Sequence, residues 1–266
     1  AGRSAEYYSV KNIGGLMTLA IVYTRASIGL EAPLVTVEAH ISNGLPGLTL
    51  VGLPETAVKE ARDRVRSAIL NSGFEYPAKK MTVNLAPADL PKESGRYDLA
   101  IAIAILASSG QIPHDPLKQY EFLGELALSG DVRYVNSAIP AAQSALKQQR
   151  SLILSTENQH QLGLLPDNSV YFTTSLLELC HFLHNKHTLV CNQQVHQASI
   201  PTKQEGDIND IIGQEHGKRA LEICAAGGHN LLLLGPPGTG KTMLASRLMT
   251  LLPPLTSQEA LEVASL

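Results

Sequence analysis

Hydrophobic positions recur along this chain at two different periods, which distinguish predicted strands from predicted helices. A period of two, in which every second residue is apolar, indicates a half-buried strand. Glycine and proline residues separate the first runs of this kind and favour turns between them. The early strands are predicted at Leu19 to Tyr23, Leu34 to Ile41 and Leu48 to Val51.

Helical spacing follows these strands and returns several times further along. Apolar residues three and four apart predict an amphipathic helix that begins near Pro54, where a first turn tolerates proline, and that Gly73 caps. The run from Asp98 to Ser108 is apolar nearly all round, which predicts a buried helix. Further helices are predicted at Ile139 to Gln148, Leu176 to Phe182 and Gln214 to Ala226, and further strands at Met81 to Leu85, Leu152 to Leu154 and Val170 to Phe172.

A hairpin is predicted between these elements, with arms at Phe122 to Leu128 and Val132 to Val135 around a Ser-Gly-Asp turn. Helices and strands therefore alternate in mixed order, and the predicted fold class is α/β with α+β character.

Changes of composition divide the chain. Residues 1–16 precede a methionine that resembles a natural start, and they are interpreted as a remnant of cloning. Residues 17–184 form the first predicted domain, residues 185–206 a polar linker, and residues 207–266 the beginning of a second domain.

The composition excludes several classes of protein. With 266 residues, of which 44% are hydrophobic, the chain has enough apolar material for folded domains. Its 21 Lys and Arg against 24 Asp and Glu give a net charge of −3, so any contact with nucleic acid must be a local patch. The longest apolar run, Leu99 to Ala107, is too short to span a bilayer. Three scattered cysteines suit a reducing compartment, and a cytoplasmic protein without a membrane partner is predicted.

One segment carries a specific chemical signature. It matches the pattern G-x-x-x-x-G-K-[ST] at every fixed position, in the order Gly235, Pro236, Pro237, Gly238, Thr239, Gly240, Lys241, Thr242. Glycines allow backbone N–H groups to surround phosphate oxygens, and the following helix contributes its positive N-terminus. Lys241 is expected to contact the β- and γ-phosphates, Thr242 to ligate Mg²⁺, and Met243 to adjoin the nucleotide. ATP and Mg²⁺ are the predicted cofactors.

The sequence on either side of this loop supports that interpretation. Leu231 to Leu234 are predicted to form a buried parallel strand, and helical spacing follows Thr242. The 24 residues after Thr242 contain no hydrophobic strand that ends in acidic residues. Walker B, sensor and arginine-finger regions are therefore expected to lie in a longer parent protein, and this chain alone is expected to show no nucleotide turnover. Whether it binds nucleotide on its own stays open.

Several short segments resemble the ComM/YifB family of magnesium-chelatase-like AAA+ ATPases. Together with the glycine loop, the resemblance covers Met17 to Leu266. The segments are Gly44-Leu45-Pro46-Gly47, Val51-Gly52-Leu53-Pro54, Val83-Asn84-Leu85-Ala86-Pro87-Ala88-Asp89, Gly213-Gln214-Glu215-His216 and Ala225-Ala226-Gly227-Gly228-His229-Asn230.

The resemblance implies a fold, an activity and partners. The fold is a ribosomal-S5/Lon-protease-like domain followed by a truncated P-loop AAA+ module. The implied function is an ATP-dependent motor for DNA branch migration in natural transformation, which assembles into a cytoplasmic hexamer on single-stranded or branched DNA. Ile211, Ile212 and Gly213 match the AAA+ segment that touches adenine. The alternative is a chelatase-type or chaperone-type remodeller that acts on a protein partner, and an N-terminal domain that serves only as an interaction platform is also considered.

Likeness to Lon raises the possibility of a serine peptidase, whose serine and lysine must lie within hydrogen-bond reach. The comparable stretch is Pro91 to Arg96, in which the nucleophile position falls on Arg96. The lysine position, counted from Gly124, falls on Ile139. Ser94 and Lys92 are neighbours in sequence but do not make a dyad, so the resemblance implies a relative without peptidase activity.

Two basic groups are candidate DNA contacts. Lys59, Arg62 and Arg66 form a stripe at helical spacing, and Lys92 and Arg96 belong to a loop group together with Lys79 and Lys80. The alternative for both is a solvated surface, because acidic residues such as Glu55, Glu60 and Asp63 accompany the stripe.

Histidines and cysteines near residue 180 suggest a metal site as a further possibility. Cys180 and His184 have a spacing that two metal ligands on one helix can use, and His181, His187 and Cys191 lie nearby. A helix C-terminus also favours histidines through its dipole, which explains the same residues without a metal. His216 and His229 are interpreted as structural residues.

Overall fold

The computed structural model describes residues 19–52, 55–90, 95–166, 168–193 and 206–265, with the side chains of residues 55–59 outside the description. The chain divides into two compact units. The first holds the chain up to residue 195 together with residues 261–266, and the second runs from residue 196 to residue 260.

The first unit alternates strands and helices. Its strands are β1 (Leu19–Arg25), β2 (Leu34–Ser42), β3 (Gly47–Val51), β4 (Lys80–Ala86), β5 (Tyr120–Phe122), β6 (Glu125–Leu126), β7 (Val132–Arg133), β8 (Ser151–Ser155), β9 (Val170–Thr173) and β10 (Val190–Cys191). Its helices are α1 (Glu55–Asn71), α2 (Asp98–Ser108), α3 (Ala138–Lys147) and α4 (Leu176–Leu183), and 3-10 turns lie at Gly95–Tyr97, Asp115–Gln119 and Thr156–Gln161.

A single sheet organises this unit, with strand order β10-β9-β8-β5-β1-β2-β4-β3. The pairs β1–β5, β5–β8, β8–β9 and β3–β4 are parallel, whereas β1–β2, β2–β4 and β9–β10 are antiparallel. The fold class is therefore α/β, as the sequence predicts, and the structure shows that the central sheet is mostly parallel. Strands β6 and β7 form a separate antiparallel hairpin.

Helix α2 lies at the centre of the first unit, and each of its eleven residues is buried. It contributes to a core cluster that includes Val22 and Val37 from the sheet and Ile69 from α1. A second cluster surrounds α3 and includes Leu152 and Phe172. A helix that is apolar all round has no polar side to turn to water, which explains its central place.

The second unit is small and helical. A 3-10 turn at Ile208–Asp210 precedes α5 (Glu215–Gly227) and α6 (Lys241–Leu251). Helix α7 (Ser257–Ala264) follows, and its residues from 261 onward are assigned to the first unit. Its buried hydrophobic cluster consists of Ile211, Leu221 and Leu244, with Leu233 and Leu248 among the partly buried neighbours.

Most of the predicted elements are confirmed within one or two residues. The helix from Asp98 to Ser108 has the predicted bounds, and Gly73 ends the α1 region with a left-handed φ of 82°. There the Phe74 N–H donates to the Ile69 carbonyl oxygen at 3.1 Å, which satisfies an end of the helix.

Three predictions differ from the structure. Leu231 to Leu234 form no strand, and Leu232 and Leu234 are 78% and 83% exposed, because no described strand of the second unit offers these residues a backbone partner. Phe122 belongs to the central sheet rather than to the hairpin, whose arms are only β6 and β7. Strand β10 lies inside the predicted linker and pairs with β9, so the sheet continues beyond residue 184.

Candidate functional site

The glycine loop, residues 235–240, connects the leucine segment to α6. Gly238 and Gly240 have φ values of 80° and 81°, a left-handed conformation that residues with a Cβ rarely adopt. No heavy atom lies within 4 Å of a Cβ placed on either glycine, so their conformation, rather than crowding, requires glycine. The loop thus has the residue types and backbone turns that a phosphate cradle needs.

The loop pattern includes a lysine, and its ammonium lies against the loop. Lys241 Nζ donates to the Pro236 carbonyl oxygen at 2.7 Å and to Thr239 Oγ1 at 3.3 Å. Thr239 Oγ1 also donates to the Pro236 carbonyl oxygen at 3.0 Å. Two loop residues, Pro236 and Thr239, are therefore joined to the positive charge of Lys241.

Helix α6 begins at Lys241, directly after Gly240, and carries no acidic residue in its first turn. A helix start of this kind favours an anion through its unpaired N–H groups and its dipole. Thr242 and Met243 are exposed in the same turn. The residues present therefore fit a nucleotide with Mg²⁺: the loop and Lys241 suit phosphates, and the Thr242 hydroxyl suits the metal.

The segment predicted to touch adenine, residues 211–213, contains one buried and one exposed isoleucine. Ile211 is buried in the cluster with Leu221 and Leu244, whereas Ile212 is 97% exposed. Gly213 has a φ of 72° and is followed by Gln214, whose Nε2 donates to the Thr239 carbonyl oxygen at 3.3 Å. Packing and this hydrogen bond bring the segment beside the glycine loop, and the Ile212 side chain is exposed.

The predicted basic stripe on α1 is partly described. Arg62 is exposed and its Nε lies 3.3 Å from Asp63 Oδ1. Arg66 is exposed, with its guanidinium carbon 5.5 Å from the centre of the Tyr76 ring. The Lys59 side chain and Lys92 lie outside the described residues. Lys79 and Lys80 are exposed next to and at the start of β4.

Arg96 corrects the prediction of an exposed loop contact. It lies in the 3-10 turn before α2 and is only 7% exposed, so its side chain is not available to a DNA backbone. The sequence placed it in a polar loop, but the turn continues into the buried helix α2 and carries the side chain inward. Burial lowers the pKa of its guanidinium.

Buried charges surround this start of α2, and the sequence did not reveal them. Asp98 accepts hydrogen bonds from Arg64 Nε at 2.6 Å and Arg64 Nη2 at 3.3 Å. Burial raises the pKa of Asp98 to about 6, although Arg64 opposes that rise. The hydrogen bond from Asp98 in turn raises the pKa of Arg64.

A second buried ion pair was also missed. Glu121 on β5 is fully buried and accepts from Arg25 Nη2 at 2.7 Å and from Arg150 Nη1 at 3.2 Å. Arg150 lies over the Tyr23 ring, 3.9 Å from its centre. An acidic residue in the middle of a short apolar strand is the one signal that could have pointed to such a pair.

The residues at the peptidase positions offer no nucleophile and base. Arg96 occupies the first position, and Ile139 at the second is packed in the α3 cluster.

The histidine and cysteine group is tied into local contacts. Cys180 is buried, which raises the pKa of its thiol to about 12. His184 Nδ1 lies 2.8 Å from the Cys180 carbonyl oxygen, and His187 Nε2 lies 3.3 Å from Glu178 Oε1. Among the described residues, no group of three or more His, Cys, Asp or Glu side chains is placed to hold a metal ion.

None of the described helices combines the length and the hydropathy that crossing a bilayer requires.

Comparison with known proteins identifies both parts of the chain. A family described as "Subunit ChlI of Mg-chelatase" matches residues 37–158, and one described as "Magnesium chelatase, subunit ChlI" matches residues 207–266. The second match contains the glycine loop, the segment around Ile211 and helices α5 and α6.

Curated relatives align along nearly the whole chain. The YifB protein of Salmonella typhimurium is 58% identical over 250 residues, which are 94% of this chain and 49% of the relative. The competence protein ComM of Haemophilus influenzae is 57% identical over 252 residues, 94% of this chain and 50% of the relative. An archaeal Lon protease of Archaeoglobus fulgidus is 44% identical over 46 residues, 17% of this chain and 7% of the relative.

This chain spans about half the length of the YifB and ComM proteins it matches. With two ChlI family matches and this identity along 94% of its residues, the chain belongs to the ComM/YifB family of magnesium-chelatase-like AAA+ proteins.

Proposed function

We propose that the second unit holds the phosphates of ATP at the glycine loop. The observation that carries this proposal is the loop itself: two glycines in left-handed conformations lead directly into α6, which begins at Lys241. The magnesium-chelatase-like family uses nucleotide and Mg²⁺ in general, which supports the assignment.

Each residue of the loop region then has a distinct task. Backbone N–H groups from Gly238 to Thr242 bind phosphate oxygens, and Lys241 exchanges its hydrogen bond to the Pro236 carbonyl oxygen for one to a phosphate. Thr242 presents its hydroxyl to Mg²⁺, which when bound neutralises phosphate charge. Ile212, exposed beside Gly213, covers one face of the adenine together with the adjoining backbone.

We propose further that the whole protein is a DNA motor that drives branch migration in natural transformation as a hexamer. Support comes from the 57% identity to a protein named for competence. Arg62 and Arg66 are the described residues of α1 available to DNA phosphates. Lys59 and Lys92 complete the proposed basic contact, and the cytoplasm is the proposed compartment.

The second candidate is a remodeller that acts on a protein partner. The two family matches to the ChlI subunit of magnesium chelatase favour it, because that subunit is named for a chelatase rather than for a DNA activity.

Nucleotide binding is tested on this chain with a fluorescent ATP analogue and Mg²⁺, followed by anisotropy. Lys241→Ala is expected to weaken binding roughly 10–100-fold, since it removes a charge-assisted hydrogen bond. Lys218→Ala, an exchange at a partly exposed lysine on α5, is the matched control and should leave binding unchanged. Equal binding by the Lys241→Ala variant would remove the assignment of the loop.

The two candidate functions are separated on the full-length protein by measuring ATP hydrolysis with and without branched DNA. The motor proposal expects stimulation by DNA, and it expects the double change Arg62→Ala and Arg66→Ala to reduce that stimulation. A rate of ATP hydrolysis that is the same with and without DNA favours the remodeller.

A further inference from the structure

The first unit contains a buried guanidinium, that of Arg96, with two nitrogens that find no acceptor in the described part of the chain. Arg96 is 7% exposed, and among the described residues neither its Nε nor its Nη2 has a hydrogen-bond partner. A guanidinium keeps its charge and has five N–H donors, so burying it without compensation is costly. The fold therefore holds a positive charge in place at a considerable cost in stability.

Two carboxylates that belong to the start of α2 and to β6, Asp98 and Glu125, have other partners. Asp98 is bound by Arg64 through two hydrogen bonds and also accepts one from the Leu126 N–H at 3.4 Å. Glu125 Oε1 lies 3.9 Å from Arg133 Nη1. The carboxylate of Glu125 also lies against Gly95, where an added Cβ would come within 2.8 Å of Oε2. Arg64 and Arg133 each contact one of these carboxylates, whereas Arg96 forms no ion pair with a carboxylate among the described residues.

The backbone that carries Arg96 is firmly held. Its carbonyl oxygen accepts from the Gly124 N–H at 3.0 Å, and the Leu99 N–H donates to the Gly124 carbonyl oxygen at 3.1 Å. These two bonds tie the start of α2 to the segment before β6. Because α2 is buried along its whole length, the backbone of the turn that carries Arg96 adjoins a rigid element before any ligand arrives.

We propose that Arg96 anchors a binding site for a carboxylate group supplied by a ligand. A planar guanidinium matches a planar carboxylate through two parallel hydrogen bonds. A carboxylate carries a single charge, so one guanidinium compensates it, whereas a phosphate dianion would keep a second charge without a partner. The small exposed fraction of Arg96 restricts the site to a group that enters end-on.

A binding residue of this kind makes the empty protein less stable than it could be. Replacing a buried unpaired charge by an apolar side chain of similar volume is often stabilising. Arg96→Met is therefore expected to raise the melting temperature of the first unit by about 5 °C in buffer without carboxylates. Arg62→Met, an exchange at an exposed arginine, is the matched control and should leave it unchanged.

Thermal unfolding, followed by circular dichroism, then tests the ligand. The chain is unfolded in sodium acetate and, as a reference, in sodium chloride of the same ionic strength. Acetate should raise the melting temperature of the unsubstituted chain by a few degrees relative to chloride and should leave the melting temperature of the Arg96→Met variant unchanged. Arg96→Lys keeps the positive charge but lacks the planar guanidinium, so its melting temperature should respond to acetate less than half as strongly.

If Arg96→Met proves unfolded, acetate binding is followed by NMR instead. The Arg96 Nε–H resonance, which is assigned by its loss in Arg96→Lys, should shift when acetate is added.

Two further measurements identify the source of the carboxylate and locate the response in the first unit. The first compares an acetylated dipeptide that has a free C-terminal carboxylate with the amide of the same dipeptide. If the ligand is the C-terminus of a protein, the dipeptide acid stabilises the chain and the amide does not. If the ligand is a free carboxylic acid, acetate stabilises the chain more than the dipeptide does. Lys241→Ala must keep the response to acetate, which separates this site from the glycine loop.

Four results would overturn the proposal. They are a lower melting temperature for an Arg96→Met variant that still folds cooperatively, stabilisation by inorganic phosphate but not by acetate, no response to acetate, and a fall in melting temperature for Glu93→Gln. The last would identify Glu93, which lies outside the described residues, as an internal partner.

Discussion

The two units of this protein bury their hydrophobic residues to very different degrees. In the first, α2 is enclosed along all eleven of its residues, and two large clusters of buried residues include side chains of the sheet. In the second, only Ile211, Leu221 and Leu244 form the buried cluster, and Leu232 and Leu234 are exposed. Both units nevertheless contain an uninterrupted apolar run in their sequence.

The difference shows that an apolar run is buried only where its backbone is also satisfied. A helix makes its own hydrogen bonds, so α2 can enter a core as soon as neighbouring side chains surround it. A strand needs another strand beside it. Residues 231–234 have no such neighbour among the described residues of the second unit, and hydrophobicity alone does not bury them.

The largest predicted effect on stability comes from breaking a buried ion pair of the first unit, and an exposed ion pair of the second unit serves for comparison. Glu121→Gln leaves two arginines facing a neutral amide inside the first unit, and we expect a loss of roughly 3–5 kcal/mol in the free energy of unfolding. Urea denaturation followed by circular dichroism measures the loss.

The matched control is Glu222→Gln. Glu222 Oε2 lies 2.8 Å from Arg219 Nη1, and both residues are exposed on α5. We expect less than about 0.5 kcal/mol for that change, because solvent screens an exposed pair. Similar losses for the two variants would show that burial does not distinguish the units electrostatically.

A second prediction concerns the pH dependence of the first unit. The pKa of Asp98 is about 6 in the folded chain and about 3.9 in an unfolded one. Between these values the folded protein binds a proton that the unfolded chain has released, so stability falls as the pH rises from 4 to 6 and is then constant. The decrease amounts to roughly 3 kcal/mol at most.

Urea denaturation at several pH values checks this dependence. Asp98→Asn should remove this part of the slope, whereas Glu60→Gln, at an exposed carboxylate that also contacts Arg64, should keep it. An unchanged slope in Asp98→Asn would mean that Asp98 ionises at its ordinary pKa.

These buried charges also mark the limit of what the sequence could predict. Local features were predictable: the bounds of α2, the glycine at the end of α1 and the glycine loop all follow from neighbouring residues. Arg25 and Glu121 are 96 positions apart, and Arg64 and Asp98 are 34 apart, so nothing local indicates that they meet. Arg96 was assigned to an exposed loop because its neighbours are polar, although the fold turns its side chain inward.

A third prediction tests how much the small cluster of the second unit supports the loop. Leu244→Ala removes one of its three buried residues and should cost the second unit about 2–3 kcal/mol. Because α6 also carries Lys241, we expect weaker binding of the fluorescent ATP analogue. Met243→Ala, at the exposed neighbouring position, tests whether the effect comes from the cluster or from contact with nucleotide. Undiminished binding by the Leu244→Ala variant would show that the loop keeps its conformation without the cluster.

The smallest predicted effect concerns the leucine segment. Leu232 is 78% exposed, so Leu232→Ala should change the free energy of unfolding by less than about 0.5 kcal/mol. Leu106→Ala makes the same chemical change at a fully buried position of α2 and should cost about 2–5 kcal/mol. Urea denaturation of the two variants measures the contrast directly. A loss above about 2 kcal/mol for Leu232→Ala would mean that the segment is covered in solution, and the difference between the units would then lie in their size rather than in how their apolar runs are satisfied.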